Sequence, residues 1–271
     1  MGRGVKAMTA KLRKGLTTVL IGGSVLLGLQ TGHVRGGPAP TVAVALEKAV
    51  ITQHEPVIVD FTACGSSSEG ADVELGYDYE KVEVKVTDPD GRVWPKPRPT
   101  VPQEGLKFRE VVRAAPGAAG VGSIVLNEWF NFDRVGTYQI NLSVSPSGDS
   151  PPAEMQVPET SLTLTVLPRD EASLASACAD LVITLRDSKS FVARRTAATA
   201  LARVDDPAAV PFLAEALKQR DFRPLLIEAL VHLNTPDAVK ALVSASRSSD
   251  EETSRLARAA LLGLGKTEPP Q

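Results

Sequence analysis

Two cysteines and three histidines are the side chains of this 271-residue chain that could supply a thiol nucleophile or soft metal ligands. Cys64 ends an alternating apolar run and Cys178 lies on the apolar stripe of a helical pattern. We therefore predict two free, buried thiols, with a bridge between them as the alternative. His33, His54 and His232 have no acidic or cysteine neighbour at the spacing of metal ligands. The pattern predicts no metal site and no cofactor.

Signatures of hydrolytic enzymes are also absent from the sequence. The serines at 66–68 lie in neither a GxSxG nor an SxxK motif, so nucleophilic catalysis has no signature. An acidic cluster is the other candidate, and its spacing differs from that of an EF-hand loop. Its members are Glu69, Asp72, Glu74, Asp78 and Glu80. We interpret the cluster as a solvated loop, with cation binding as the alternative, and we predict that the protein is not an enzyme.

Large aromatic side chains gather in and near the segment LNEWFNFD, at positions 126–133. If Trp129 and Phe130 continued an alternating strand, only one of them could point into the core, and the other would be exposed near the end of a sheet. We predict instead that both fold inward with Phe132 and Tyr138, as residues at irregular strand ends commonly do. Because one of the two side chains is exposed in the alternative interpretation, Trp129 and Phe130 remain candidate protein-binding residues.

The first 32 residues have the pattern of a signal peptide. Five positive charges precede an apolar run at 16–29, which is shorter than the roughly 20 residues that a membrane-spanning helix needs. We predict that residues 1–32 are a signal peptide, that residues 33–40 are a linker, and that the protein is periplasmic or extracellular. An uncleaved anchor in the inner membrane at 16–29 is the alternative, and it would be the protein's only contact with a membrane.

Short alternating runs between 41 and 168 predict half-buried strands separated by turns. The runs lie at 41–50, 56–63, 81–88, 106–113, 121–128, 136–144 and 160–167, with a short strand at 92–94. Within 81–88, three valines face one side and charged or polar residues face the other. Strands of this kind without helices between them favour two antiparallel sheets packed as a β-sandwich. Residues 64–80 and 145–159 are predicted to be irregular.

A helical period replaces the alternation over 169–265. A shift of 29 residues matches seven identities in seventeen positions, which aligns LARVDDPAAVPFL with LVHLNTPDAVKAL. Each segment reads as the end of one helix, a tight loop, a proline near the first turn of the next helix and that helix's apolar stripe. We predict six helices in three antiparallel pairs that form a short α-solenoid, followed by a disordered tail at 266–271.

The repeated segments resemble known families. The segment 193–221 and its echo at 222–250 are similar to HEAT repeats, particularly the short HEAT-like type of phycobilin lyases, over about 95 residues. This resemblance implies a scaffold that holds other proteins, and the lyase activity is not carried over. The segments KVEVKVTDPDGRV and IVLNEWFNFDRVGTYQI are similar to immunoglobulin-like domains of exported bacterial proteins, although the Cys, Trp, Cys spacing of antibody-type domains is missing. The two resemblances together imply an exported bacterial protein of the envelope or periplasm.

Charge distribution indicates where a partner would bind. Basic and acidic residues number 30 and 32, a net charge of -2, which argues against nucleic-acid binding. Residues 33–168 carry 11 basic and 18 acidic residues, whereas 169–271 carry 14 of each. The second helices of the predicted pairs present polar positions off their buried stripe. These candidate contact residues are Glu215, Lys218, Lys240, Ser244 and Arg247. A solvated face with ion pairs between neighbouring turns is the alternative interpretation.

The function that follows is that of a non-catalytic, exported scaffold that binds another protein through the solenoid and the sandwich surface. The alternative is an inhibitor or carbohydrate-binding module that acts through the loops around LNEWFNFD. A third class, an unfamiliar hydrolase, would need carboxylates with raised pKa values to meet in a cleft at the domain boundary.

Overall fold

The computed structural model describes residues 41–64, 71–76, 82–97, 109–114, 119–144 and 157–266. Its N-terminal part consists of β-sheets and its C-terminal part of helices, so the predicted division into a β region and a helical region is confirmed. The predicted leader, linker and tail lie outside the described residues, as do the side chains of the acidic cluster. No helix within the described ranges is long and apolar enough to cross a membrane.

Ten strands make up the described β region. They are β1 (Thr41–Leu46), β2 (Val50–Thr52), β3 (Ile58–Cys64), β4 (Ala71–Gly76), β5 (Val82–Thr87), β6 (Val93–Pro95), β7 (Arg109–Ala114), β8 (Ala119–Val125), β9 (Gly136–Val144) and β10 (Val157–Leu167). The sequence pattern was wrong at three places. The run 41–50 forms two strands, the stretch 64–80 contains β4, and β10 begins before 160. In each case pairing with a distant strand decides the outcome: β2 pairs with β10, β4 with β7, and the start of β10 with the end of β9.

The strands form two larger sheets and a two-stranded one. Their orders are β1-β3-β8, β2-β10-β9-β5-β6 and β4-β7. All pairings are antiparallel except β2 with β10, which is parallel. Side chains of both larger sheets meet in one hydrophobic cluster, to which β3 contributes Phe61, β5 contributes Val84 and β9 contributes Ile140. This shared cluster explains the alternating pattern, because only one face of each strand needs to be apolar.

The tetrapeptide at 88–91 forms the turn that its residues predict. The Asp88 carboxylate accepts hydrogen bonds from the backbone N–H groups of Asp90 and Arg92, both at 2.9 Å. Gly91 has a φ of 81°, a conformation that side-chain-bearing residues rarely adopt. The turn leads directly into β6, which confirms the short strand predicted at 92–94.

Six α-helices follow. They are α1 (Glu171–Asp187), α2 (Phe191–Ala202), α3 (Val210–Ala216), α4 (Arg223–Leu233), α5 (Pro236–Ser246) and α6 (Glu251–Gly263). Side-chain caps start four of them, because the carboxylate or hydroxyl oxygen accepts a hydrogen bond from an otherwise unpaired backbone N–H of the first turn. The caps are Asp170, Ser190, Thr235 and Asp250. Asn234, in the left-handed conformation with a φ of 44°, ends α4.

The helices lie in two layers. Helices α1, α3 and α5 contact one another along one layer, and α2, α4 and α6 along the other. Their apolar stripes meet in a single cluster that includes Leu174, Leu201, Leu213, Leu230 and Leu242, each fully buried. The six predicted helices are therefore present, with the prolines of the repeat at the start of α5 and in a short 3-10 turn before α3.

A small apolar contact joins the two regions. Ile58 on β3 and Val125 on β8 are directly paired across the sheet, and both pack against Ala200 on α2 with Leu181 at the margin. Arg169, between β10 and α1, adds a two-pronged ion pair with Asp206 at 2.6 and 3.0 Å. These contacts hold the helical region against the three-stranded sheet.

Candidate functional site

The segment that follows β8 is held by backbone and side-chain hydrogen bonds. A 3-10 turn at Leu126–Glu128 ends the strand, and the Asn127 side-chain oxygen accepts a hydrogen bond from the N–H of Val57 at 2.6 Å. Because the strand stops here, Trp129 and Phe130 no longer alternate between two faces. Both are half-buried and pack against the β cluster.

Neighbouring aromatic and basic side chains fix the orientation of these rings. Phe132 lies between Phe130, at 6.4 Å, and Tyr138, at 5.3 Å in an edge-to-face contact. The Lys96 ammonium lies 4.3 Å from the centre of the Trp129 ring and also donates a hydrogen bond to the backbone oxygen of Val82 at 2.9 Å. A cation over an indole face is attracted by the electron density of the ring. The aromatic segment is thus preorganised.

A cleft of about 320 Å³ opens between this segment and the helical region, and we call it the junction cleft. One wall consists of residues 127–131. The opposite side consists of residues 202–205, at the end of α2, and of Leu225, Glu228, Ala229 and His232 on α4. The cleft depends on the contact between the two regions, because neither region alone supplies both walls.

Charges are unevenly distributed along the junction cleft. Partial loss of hydration raises the pKa of Glu128, although the residue is exposed and the cations Arg203, Arg195 and Lys96 act in the opposite direction. At the α4 end, the His232 Nε2 atom lies 3.6 Å from an Asp205 carboxylate oxygen, and Glu228 is exposed. The helical side of the cleft therefore presents the exposed carboxylates of Asp205 and Glu228 to solvent, beside Arg203.

A second cavity of about 350 Å³ lies between β2 and α1, and its buried carboxylate, Glu55, is already paired. Glu55, which is 5% exposed, accepts hydrogen bonds from the Thr52 backbone N–H and hydroxyl, both at 2.8 Å. Its other carboxylate oxygen pairs with Lys48 at 3.1 Å. Glu55 thereby pairs the backbone N–H of Thr52, the last residue of β2, and its own charge is balanced by Lys48.

The predicted solenoid contact residues lie away from the junction cleft. All five residues are exposed, and each lies on α3 or α5 or within two residues of the end of one of these helices. They are Glu215, Lys218, Lys240, Ser244 and Arg247. These helices belong to the other layer from α2 and α4, so the structure does not bring these residues together with Trp129 and Phe130. Lys240 pairs with Asp237 at 2.8 Å, three residues earlier, as the solvated-face interpretation expects.

Sequence reasoning missed the helical wall of the cleft. Arg203, Asp205 and Glu228 carry no motif, and His232 was considered only as a metal ligand. The signal available in the sequence was the position of these residues on the first helices of the repeat. That α2 packs against the sheet is decided by the contact around Ala200, which no local pattern reports.

Cys178 is a free, fully buried thiol, as predicted. Burial raises its pKa to about 12, with smaller contributions from Asp206 and Glu55, so the thiol is unreactive at neutral pH. The side chain of Cys64 lies outside the described residues. Among the described residues, no cluster of histidine, cysteine, aspartate and glutamate has the geometry of a metal site.

Comparison with known proteins identifies the helical repeats. Residues 178–264 match the family described as HEAT repeats, which is about a third of the chain. The helical region therefore carries HEAT-like repeats, as the resemblance in the sequence implied. No curated protein is similar in sequence to this chain.

Similarities to solved structures are weak. A β-glucosidase from Listeria innocua is 12% identical with a TM-score of 0.26, over 48% of this chain and 16% of the enzyme. A CARDB domain from Pyrococcus furiosus is 12% identical with a TM-score of 0.25, over 49% of this chain and 96% of the domain. The sporulation control protein Spo0M from Bacillus subtilis is 12% identical with a TM-score of 0.26, over 55% of this chain and 56% of that protein. Scores this low establish neither fold nor function.

Proposed function

We propose that the protein is a non-catalytic, exported scaffold that binds another protein, and that its binding surface is the junction cleft. The observation that supports this proposal is that half-buried aromatic side chains of the β region and charged side chains of the helical region line the same cleft. An apolar centre with a polar rim is the usual anatomy of a protein interface. The preorganised rings lower the entropic cost of binding, because they do not need to be ordered by the partner.

The proposal includes an immunoglobulin-like sandwich for the β region. The strand order β1-β3-β8 facing β2-β10-β9-β5-β6 supports it, because these folds place early and late strands side by side in this way. Tyr138 lies near the start of β9, and its hydroxyl exchanges hydrogen bonds with the backbone N–H and oxygen of Arg134, both at 3.1 Å. This arrangement resembles the tyrosine corner of immunoglobulin-like domains.

The helical region is proposed to act as a short solenoid. Its partner contacts the layer of α2, α4 and α6, at the cleft lined by α2 and α4, rather than the surface of α3 and α5. Export rests on the basic and apolar pattern of residues 1–32. An alkaline phosphatase fusion after Pro40 should be active, and an inactive fusion would contradict export.

The binding experiment is an affinity capture from envelope extract with the leader-free protein as bait. Trp129→Ala and Glu228→Lys should each abolish capture, whereas Lys240→Glu and Arg247→Glu should leave it intact. Glu228 is exposed, so its variant tests binding without disturbing the core. Loss of capture only with the two α5 variants would refute the cleft as the binding surface and would favour the exposed surface of α3 and α5.

A carbohydrate-binding module is the second candidate, because residues 127–131 of the segment LNEWFNFD line the cleft with two aromatic rings and two asparagines. Saturable binding of a neutral oligosaccharide that Trp129→Ala removes, without capture of any protein, would favour it. A hydrolase is less well supported. A hydrolytic pair would raise the pKa of one carboxyl group through the charge of the other, whereas desolvation is what raises the pKa of Glu128.

A further inference from the structure

The shape of the junction cleft suits a long side chain with an apolar stem. Its floor contains Val204 and Ala229, which are 2% and 6% exposed, and Leu225 is half-buried beside them. The half-buried rings of Trp129 and Phe130 form the wall. A side chain that enters here loses contact with water along its length, so the stem must be apolar to bind favourably.

The charged residues of the cleft determine which charge the head group of that side chain must carry. The positive charges of Arg203, Arg195 and Lys96 act on Glu128, which lies in the wall formed by residues 127–131. At the α4 end, among the described residues, the Asp205 carboxylate pairs with the imidazole of His232 alone. The Glu228 carboxylate makes no hydrogen bond or ion pair with any residue in the part of the chain that the structure describes. The α4 end is therefore the end with negative charge available for a ligand.

We propose that the cleft takes a lysine or arginine side chain from an extended segment of the partner protein, an inference that rests on the proposed function. The aliphatic stem lies on the floor and against Phe130, and the cationic head lies at Asp205 and Glu228. Lysine and arginine commonly bury their stems and keep the charge at the rim in this way.

Other head groups fit the cleft less well. An acidic side chain would meet two carboxylates of like charge at the α4 end. A wholly apolar side chain of the same length would remove water from those carboxylates without replacing their hydrogen bonds. Charge complementarity therefore favours a basic partner segment.

The test uses N-acetyl-arginine methylamide as the probe, with N-acetyl-citrulline methylamide as its neutral isostere, on the isotope-labelled full chain. The indole N–H resonance of Trp129 reports binding, and that of Trp94, on β6 outside the cleft, serves as the internal reference. We expect the arginine probe to shift the Trp129 resonance saturably and to bind about two- to fivefold more tightly than citrulline, the range of a partly exposed ion pair. Added salt should reduce the difference.

Matched variants locate the charge. Glu228→Gln and Asp205→Asn should remove most of the preference for arginine over citrulline, and Glu215→Gln on α3, exposed in the other helix layer, should leave it unchanged. Equal binding of the two probes, or no shift with either, overturns the basic-segment inference even if Trp129→Ala still abolishes partner capture. Shifts caused by a neutral disaccharide but by neither amino-acid probe overturn it in favour of the carbohydrate class. Partner capture that is insensitive to both Trp129→Ala and Glu228→Lys overturns the proposed function itself.

Discussion

Replacing Ile58 by alanine tests whether the small contact between the two regions couples their stability. Ile58 is 7% exposed and packs with Val125 and Ala200, which are 2% and 0% exposed. The substitution removes three carbon atoms, which at ~0.8 kcal/mol for each buried CH₂ corresponds to about 2.4 kcal/mol. The cavity that remains adds to this loss, so we expect a decrease of about 2 to 4 kcal/mol in the free energy of unfolding.

The assay is urea unfolding followed by two probes. Trp94 lies on β6 outside the cleft and Trp129 lines the cleft, so the tryptophan fluorescence reports the β region and its junction with the helices. Far-ultraviolet circular dichroism reports mainly the helices. In the native protein we expect the two curves to coincide, because the contact couples the regions. In Ile58→Ala the curves should separate, and the melting temperature should fall by about 5 to 10 °C.

Two controls make the result decisive. Ile58→Val keeps the branched shape and should cost roughly 0.5 to 1.5 kcal/mol. Ile183→Ala makes the same deletion on α1 at a position that is 48% exposed, and it should change the free energy of unfolding by no more than about 0.5 kcal/mol. If Ile58→Ala costs no more than Ile183→Ala, the contact does not couple the regions and the reasoning is wrong.

Three further perturbations test other parts of the structure. Hydrogen bonds from Arg169 lower the pKa of Asp206 in the folded protein. The ionised carboxylate therefore stabilises the fold at pH values above the unfolded-state pKa of about 3.9. This stabilisation is lost as the pH falls through the lower pKa of the folded state. Asp206→Asn should lower the melting temperature at neutral pH and weaken its fall in acid, and identical pH profiles would contradict this. Cys178, with a pKa near 12, should resist iodoacetamide in the native protein and react in urea, as peptide mass spectrometry would show; equal labelling in both states would refute its burial. Gly136 has a φ of 140° and an added Cβ would lie 2.7 Å from Pro89, so Gly136→Ala should destabilise the fold by roughly 1 to 3 kcal/mol in urea unfolding, and an unchanged midpoint would show that the turn can relax.

Helices were predictable from the sequence because their signals are local. Caps such as Asp170 and Thr235 and the proline that opens α5 lie within one turn of the backbone groups they affect. The repeat of 29 residues added an independent check, because each helix pair must bury the same stripe against its neighbour. Helix number and order follow directly from these features.

Strands were predictable only where one face is buried in the shared cluster. Val82, Val84 and Val86 are 2% to 3% exposed, and the alternation in β5 was correctly interpreted. The strand β4 was missed because its sequence ADVELG is short and acidic, and its pairing with β7 joins segments that lie more than thirty residues apart. No window of local sequence contains that information.

Composition, periodicity and the internal repeat by themselves determined that a β region precedes HEAT-like helices. They also placed Trp129 and Phe130 at the end of a strand. The sequence suffices for these features because each depends only on residues that are neighbours in the chain. Only the tertiary structure decided that α2 packs against the three-stranded sheet, and hence that Arg203, Asp205 and Glu228 line a cleft with the aromatic segment. The physical reason is that this arrangement depends on the shape of apolar surfaces that meet across the chain, around Ile58 and Ala200, and the order of residues does not encode such a fit locally.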